Sequence, residues 1–293
     1  MPAYKQQTRA QARTSIYQLM RRNKYASGLV LASPSPTVSA FALEEAKRFP
    51  TDTFVGAGIY AVSGTGAGQS SLVSNSDAGT GLITIAPSVG TPFDSTTRVE
   101  ILPDELTPDA VNEMINLAID SLEDTVDVYV RYHNPVIDST LCQITIPDDL
   151  TKLTEVSYLD AGNIWRPYRY RHNPEIPSEE HYYDFTVSGR TIYLSQPIPS
   201  DIVTTNIIIG GYRPPAHPTS DSDVLEAPIP FIVYHAAANL EQSLTGNVDV
   251  DAEGHQTRGG QWLAQAQLHR PSRDYSGMKP NTIVLDPVSV SAQ

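Results

Sequence analysis

FVGAGIYAVSGTGAGQSSLVSNSDAGTGLITIAPSVGTPFDSTTRVEI, residues 54–101, decides how the rest of this chain is read. Gly64-Thr65-Gly66-Ala67-Gly68-Gln69-Ser70 invites a phosphate-cradle reading and fails it. A Walker A loop needs Lys just before the Ser, where Gln69 stands, and Gly five residues ahead of Gly68, where Ser63 stands. The dinucleotide fingerprint fails at Gln69 as well, where its third Gly should fall. Both motifs must also open a helix whose N-terminal amides hold the phosphate. Here the flanks are β-patterned instead: Phe54–Val62 before, Ser71–Val73 after. The Gly-rich piece therefore reads as a hairpin turn in a meander. That meander continues through a DAGTG turn, a Leu82–Ala86 strand, a Pro/Gly loop and a Thr97–Ile101 strand.

Outward from this stretch, helical signals lie in four segments. Residues 4–24 are polar and basic, with Ile16, Leu19 and Met20 as apolar contacts. Residues 108–130 read as the clearest helix, with Thr107 as cap, Pro108 in the first turn and Asp109 at the positive end of the dipole. Val111, Ile115, Ala118, Leu122 and Val126 form its buried stripe. Asp109, Glu113, Asp120, Asp124 and Asp127 form an acidic stripe on another face, with no Lys or Arg from Val99 to Val130. A third helix starts near Pro228 or Pro230 and stops at Gly246, and a fourth runs from about Asp251 to Arg270, weakened by Gly259-Gly260. Between the second and third helices lies a second β-rich block. It comprises Leu141–Ile146, Leu153–Leu159, Trp165–Arg171, Asp184–Val187, Thr191–Leu194 and Thr205–Tyr212, whose alternation favours antiparallel pairing.

The predicted fold is α+β: a small helical bundle core assembled from separated segments, with two antiparallel β-rich insertions. In order, the expected pieces are a basic N-terminal helix (1–27), a Gly-rich β-meander (28–103), an acidic core helix (104–134), a second antiparallel β block (135–218), the C-terminal core helices (219–271) and an extended arm (272–293). The arm has one apolar run, Ile283–Leu285.

Composition narrows the function. Lys+Arg 20 against Asp+Glu 33 gives a net charge of −13, which argues against nonspecific binding to a polyanion. The charge is uneven: residues 1–24 carry +6 with no acid, leaving −19 on the remainder. That basic start superficially matches a transit peptide, but an ordinary basic helix accounts for it better. The single Cys142 excludes an intrachain disulfide framework and reads as a buried thiol. No apolar run approaches the roughly 18 residues of a membrane span.

Catalytic and metal motifs find little support. The seven His residues show no metal-ligand spacing. Asp249-x-Asp251-x-Glu253-Gly254 imitates an EF-hand start, but its twelfth position is Gly260 rather than a bidentate Glu, so a helix-initiating acidic turn is the better account. No G-x-S-x-G elbow occurs. In Trp165-Arg166-Pro167-Tyr168-Arg169-Tyr170-Arg171-His172, period two separates the tyrosines from the arginines. A strand with tyrosines packed inward, or a protein contact, is preferred over a single-strand nucleic-acid platform.

Several phrases resemble the head-to-tail adaptor (connector or neck) proteins of tailed bacteriophages. In the first β block these are the SGTGAGQS turn, the hydrophobic strand ending in Pro87, and Pro92-x-Asp94-Ser95-Thr96-Thr97-Arg98 closing on Glu100-Ile101. Further on come Ile144-Thr145-Ile146-Pro147-Asp148-Asp149-Leu150 before a Val-Ser-Tyr strand, Trp165-Arg166-Pro167, and Gly211-Tyr212-Arg213-Pro214-Pro215. The acidic linker Ser220-Asp221-Ser222-Asp223 and the helix phrase Tyr234-His235-Ala236-Ala237-Ala238 complete the order. The Gly-rich meander is an elaboration that many small adaptors lack.

The resemblance implies a structural virion protein at the head–tail junction, assembled in the host cytoplasm, with no turnover, cofactor, metal or membrane. Its implied partners are copies of itself in a ring of twelve, the portal protein, tail or neck proteins, and genomic double-stranded DNA that passes through without specific binding. On that reading Glu113, Asp120, Asp124 and Asp127 line the DNA channel and repel phosphates. Arg9, Arg13, Arg21, Arg22, Trp165, Arg169, Arg171 and Tyr275 make subunit or portal contacts. The alternative is a virion β-sandwich that decorates the capsid or binds glycan through the aromatic strand 165–170; a hydrolase is a third, weaker option.

Overall fold

The computed structural model describes residues 7–20, 25–102, 106–122, 125–133, 137–138, 143–159, 164–170, 184–194, 207–244, 252–271 and 283–284, with backbone alone at 137–138, 169–170, 184 and 283–284. The fold is mixed α+β. It divides into two units, Met1–Ser121 with His217–Arg270, and Leu122–Ala216 with Pro271–Gln293.

In the first unit four helices from distant parts of the chain meet: α1 (Arg9–Leu19), α2 (Pro108–Asp120), α3 (Ile229–Leu244) and α4 (Ala252–Leu268). Helix α3 is the axle, packing against each of the other three. Ile229, Phe231, Ile232, Val233, Ala236, Ala237, Ala238, Leu240 and Leu244 bury nearly its whole circumference, as expected for an apolar helix enclosed on all sides. The Gly259-Gly260 pair does not break α4. Gly259 is the point of approach to α3: a Cβ there would sit 3.4 Å from both Ala238 O and Gln242 Cγ. Helix α1 begins at Arg9 rather than near residue 4, because Thr8 and Gln11 form a capping box, a T-x-x-Q signal legible in the sequence.

Between α1 and α2 the chain forms six strands: β1 (Ala26–Leu29), β2 (Ala40–Ala42), β3 (Gly58–Ser63), β4 (Ser70–Ser76), β5 (Leu82–Ala86) and β6 (Arg98–Leu102). They are ordered β1-β6-β3-β4-β5-β2. This corrects the simple meander. The bridge Val30–Leu43 and the bond from Leu31 N–H to Ala42 O (2.8 Å) join the two outer strands, so the sheet closes into a small barrel. Closure removes the exposed edges that an open meander would offer. Phe41, Phe54, Ile59, Ile83, Phe93, Val99 and Ile101 fill the interior.

The Gly-rich piece is the β3–β4 turn, as its sequence indicates. Gly64 has φ +81°, and a Cβ there would fall 2.1 Å from Thr96 O. Gln69, standing where a Walker lysine would be, donates from Nε2 to Thr91 O (3.2 Å) and accepts from Thr91 N–H (3.0 Å). Thr65 donates to Asp94 (2.6 Å), and hydrogen bonds from Thr65 and Thr96 hold the Asp94 carboxyl down to about 2.

The acidic helix expected over 104–134 is corrected. Helix α2 ends at Asp120 with Ser121 as its C-cap, and Val128–His133 is a strand, β7. The apolar spacing that carried the prediction on to Leu122 and Val126 coincides with a Thr-Val-Asp-Val-Tyr-Val run rich in β-branched residues, which favours a strand. A helix continued past Asp120 would also place three carboxylates at its negative end.

In the second unit β7 joins β10 (Lys152–Leu159), β11 (Trp165–Pro167) and β15 (Ile207–Arg213) in the order β11-β10-β15-β7, with β16 (Ile283–Val284) pairing β10. A second sheet runs β12-β13-β14-β9-β8, from Arg169–Tyr170, Asp184–Ser188, Thr191–Leu194, Gln143–Thr145 and Ile137–Asp138. Pairing is antiparallel except between β12 and β13. The block therefore starts at Val128, before the expected 135. Ile144, Leu153, Val156, Phe185, Ile192 and Ile209 from both sheets share one core. The apolar run of the arm contributes β16, whose Ile283 and Val284 lie opposite Leu153 and Lys152.

Candidate functional site

Glu100 stands in the middle of β6 among the buried apolar Val99, Ile101 and Leu102, so its carboxylate needs a partner. That partner is Arg13 of α1. Neither side chain is more than 1% exposed. Arg13 Nε donates to Glu100 Oε2 (2.9 Å) and Nη2 to Glu100 Oε1 (2.7 Å). Its remaining hydrogens reach Asn112 Oδ1 on α2 (2.8 Å) and both oxygens of Asp221 (2.9 and 2.7 Å). One guanidinium thus ties α1, the barrel, α2 and the 217–227 linker together with its donors fully used. Burial opposes the cation, but hydrogen bonds and charge from Asp221 and Glu100 outweigh it and raise the Arg13 pKa. Asp221 is likewise disfavoured by desolvation, yet its bonds from Arg13 and Arg9 leave its pKa lowered.

The linker and α1 are joined along the backbone as well. Arg9 N–H donates to Asp223 O (2.9 Å) and Leu225 N–H to Gln7 O (2.9 Å). Arg9 itself binds Asp221 Oδ1 (3.0 Å) and Pro218 O (3.0 Å). Beside this cluster opens a cleft of about 780 Å³ between the start of α1, the barrel residues Tyr60–Ser63, Gln69 and Arg98, the first turns of α2, and Thr219–Ser222. Arg98 is part-buried in its wall. Its Nε is shielded from solvent and has no hydrogen-bond partner among the described residues.

The expected contact residues divide. Arg13 is corrected: it is fully buried and committed within the subunit, whereas Arg9, paired with Asp221, keeps 15% of its side chain exposed. Asp127 is also corrected. It precedes β7, off the helix, and is paired with Lys152 Nζ. Asp109, Glu113 and Asp120 do lie exposed along α2, interrupted by the exposed Leu117, and Asp120 Oδ1 meets His217 Nε2 at 2.6 Å. Trp165 is 43% exposed on β11. The strand expected over 165–171 divides at Tyr168: Trp165–Pro167 pairs β10, whereas Arg169–Tyr170 pairs β13 in the other sheet. Tyr168 packs inward against Tyr158, with ring centroids 5.1 Å apart. Arg21, Arg22, Asp124, Arg171, Tyr275 and Cys142, and the side chain of Arg169, lie outside the described residues.

A second polar cluster joins α3 to α4: the buried His255 Nδ1 lies within hydrogen-bond reach of the buried Glu241 Oε2, and Arg258 Nε approaches the same carboxylate at 3.4 Å. Residues 252–260 of the EF-hand-like stretch are helical. Among the described residues no group of His, Cys, Asp and Glu is placed to hold a metal ion, and no helix is long and apolar enough to cross a membrane. Neither a protein-family model nor a curated protein matches the chain.

Proposed function

We propose that the chain is a structural subunit of a tailed-phage virion, the adaptor whose copies form a ring beneath the portal and join capsid to tail around the DNA channel. The observation that carries this reading is the assembly of one bundle from α1, α2, α3 and α4, with β excursions leaving it between α1 and α2 and between α2 and α3. That is the order of parts the resemblance implies. The work is mechanical: a closed ring needs one heterologous interface per subunit with a rotation that closes. Such an interface should bury over roughly 1,000 Å².

With the barrel closed, strand pairing between copies falls to the second unit, where β7 ends its sheet's order. The exposed carboxylates of α2 suit the wall of the passage, because a surface that repels phosphates releases no counterions and lets DNA slide. The glycan alternative keeps the exposed Trp165 but loses Tyr168 to the core. Mixing the purified chain with purified portal tests the reading. Co-elution as a complex of defined stoichiometry supports it; separate elution, with retention on a glycan array, would turn the assignment to the alternative.

A further inference from the structure

Among the described residues, the sheet β11-β10-β15-β7 has two ends, and both reach solvent. All three residues of β11 are exposed, and Trp165 makes no ring contact among the described residues. On β7, Tyr129 and Arg131 are exposed. Beside Val130–Tyr132 opens a cleft of about 670 Å³, bounded by Asp148, Asp149, Thr151 and Arg213–Ala216.

Direction, backbone and side chains fit the two ends to each other. Every pairing along β11-β10-β15-β7 is antiparallel, so these strands alternate in direction. A second β11, set beside β7 in the orientation of the first, continues the alternation. Tyr168 N–H donates to Val156 O (2.8 Å), which leaves the N–H and C=O of Trp165 pointing away from β10. Tyr212 O accepts from Thr151 N–H (2.9 Å) on the β10 side. Tyr129, opposite Tyr212, and Arg131 two residues on therefore turn their N–H and C=O away from β15. Trp165 stands opposite Leu159, on the face of β10 that also carries Glu155, the partner of Arg131. Arg166 stands opposite Tyr158, on the core side, where Asp148 borders the cleft without a hydrogen bond or ion pair among the described residues.

We infer that β11 of one copy pairs with β7 of the next, Trp165 opposite Arg131, so that one sheet runs from subunit to subunit. The inference rests on the ring reading and names the strands that make its contact. Two unlike edges form a heterologous interface, the kind a closed ring repeats. Main-chain bonds join the edges. On the outer face the indole meets the Arg131 guanidinium, a cation–π pair. On the core side Arg166 brings its charge to the neighbour's cleft, where Asp148 lies.

Disulfide trapping in the full chain, with Cys142→Ser as background, tests the pairing. Opposite residues of a hydrogen-bonded pair lie about 5.5 Å apart at Cα, within disulfide reach. Under mild oxidation Arg131→Cys with Trp165→Cys should give a ladder of covalent multimers beyond the dimer, and neither substitution alone should. A ladder from His133→Cys with Trp165→Cys, and none from the first pair, overturns the register alone. Dimers from Arg131→Cys alone mark a two-fold contact between β7 strands and overturn β11 as the occupant. Rings under the microscope with no ladder from either pair overturn the sheet contact and leave the ring reading standing; single-chain particles throughout overturn both. Trp165→Ala in the otherwise native chain should raise the concentration of half-association in sedimentation about tenfold or more, the scale of a truncated aromatic anchor. Unchanged association contradicts the inference whether or not the cysteine variants fold.

Discussion

Replacing Arg13 by Met should unfold the first unit at far lower denaturant, and the size of the effect follows from what is left behind. Arg13 and Glu100 are each no more than 1% exposed, so the substitution strands a carboxylate inside the fold. Removing one partner of a buried ion pair costs about 3–5 kcal/mol. Asp221 adds less, being 23% exposed and able to recover water. With a urea m-value of about 2 kcal/mol/M for a unit of this size, the midpoint should fall by about 1.5–2.5 M.

The chain's two tryptophans make the assay specific, since Trp165 lies in the second unit and Trp262 in α4. In a Trp165→Phe background, fluorescence reports the first unit alone. Adding Glu100→Gln to Arg13→Met removes the stranded charge and should return at least about 2 kcal/mol. A single Arg13→Met variant within about 1 kcal/mol of its parent, or a double variant worse than the single, would refute the guanidinium as the tie between α1 and the barrel.

Acid should loosen the same joint. The Asp221 pKa is lowered in the folded state, so its contribution is complete above the unfolded value near 3.9 and fades as pH falls through the lower folded value. Urea midpoints of wild type should therefore drop more steeply below about pH 4 than those of Asp221→Asn. In the β3–β4 turn, Gly64→Ala should cost about 2 kcal/mol or more, because a left-handed φ and a clash with Thr96 O combine. Gly68→Ala, at φ +85° but with open space, should cost about 1 kcal/mol by thermal melting. Lys at Glu113, Asp120 and Asp124 should slow DNA ejection from assembled particles or trap DNA in them; ejection at the wild-type rate would remove those acids from the channel wall.

Legibility in the sequence followed the range of the interactions. The strand Thr191–Leu194 and the helices after Pro228 were readable because alternation, Pro and Gly punctuation and apolar spacing are local. Barrel closure was not, since the Val30–Leu43 bridge and the β1–β6 pairing join residues that no local pattern relates. The end of α2 was misplaced because Leu122 and Val126 extend its spacing by coincidence, although Val126 itself belongs to a β-branched run, 125–130, that pointed to a strand. The Arg13 cluster was missed as a unit. Its one visible sign was Glu100 between apolar neighbours, a charge inside a buried strand that implies a distant cation without naming it.

The ring reading meets its most direct test in negative-stain microscopy of the purified full-length chain, alone and with portal. Closed annuli with a single central hole, of one copy number throughout the field, are the expected result. Particles the size of one 32.0 kDa chain under both conditions would contradict it.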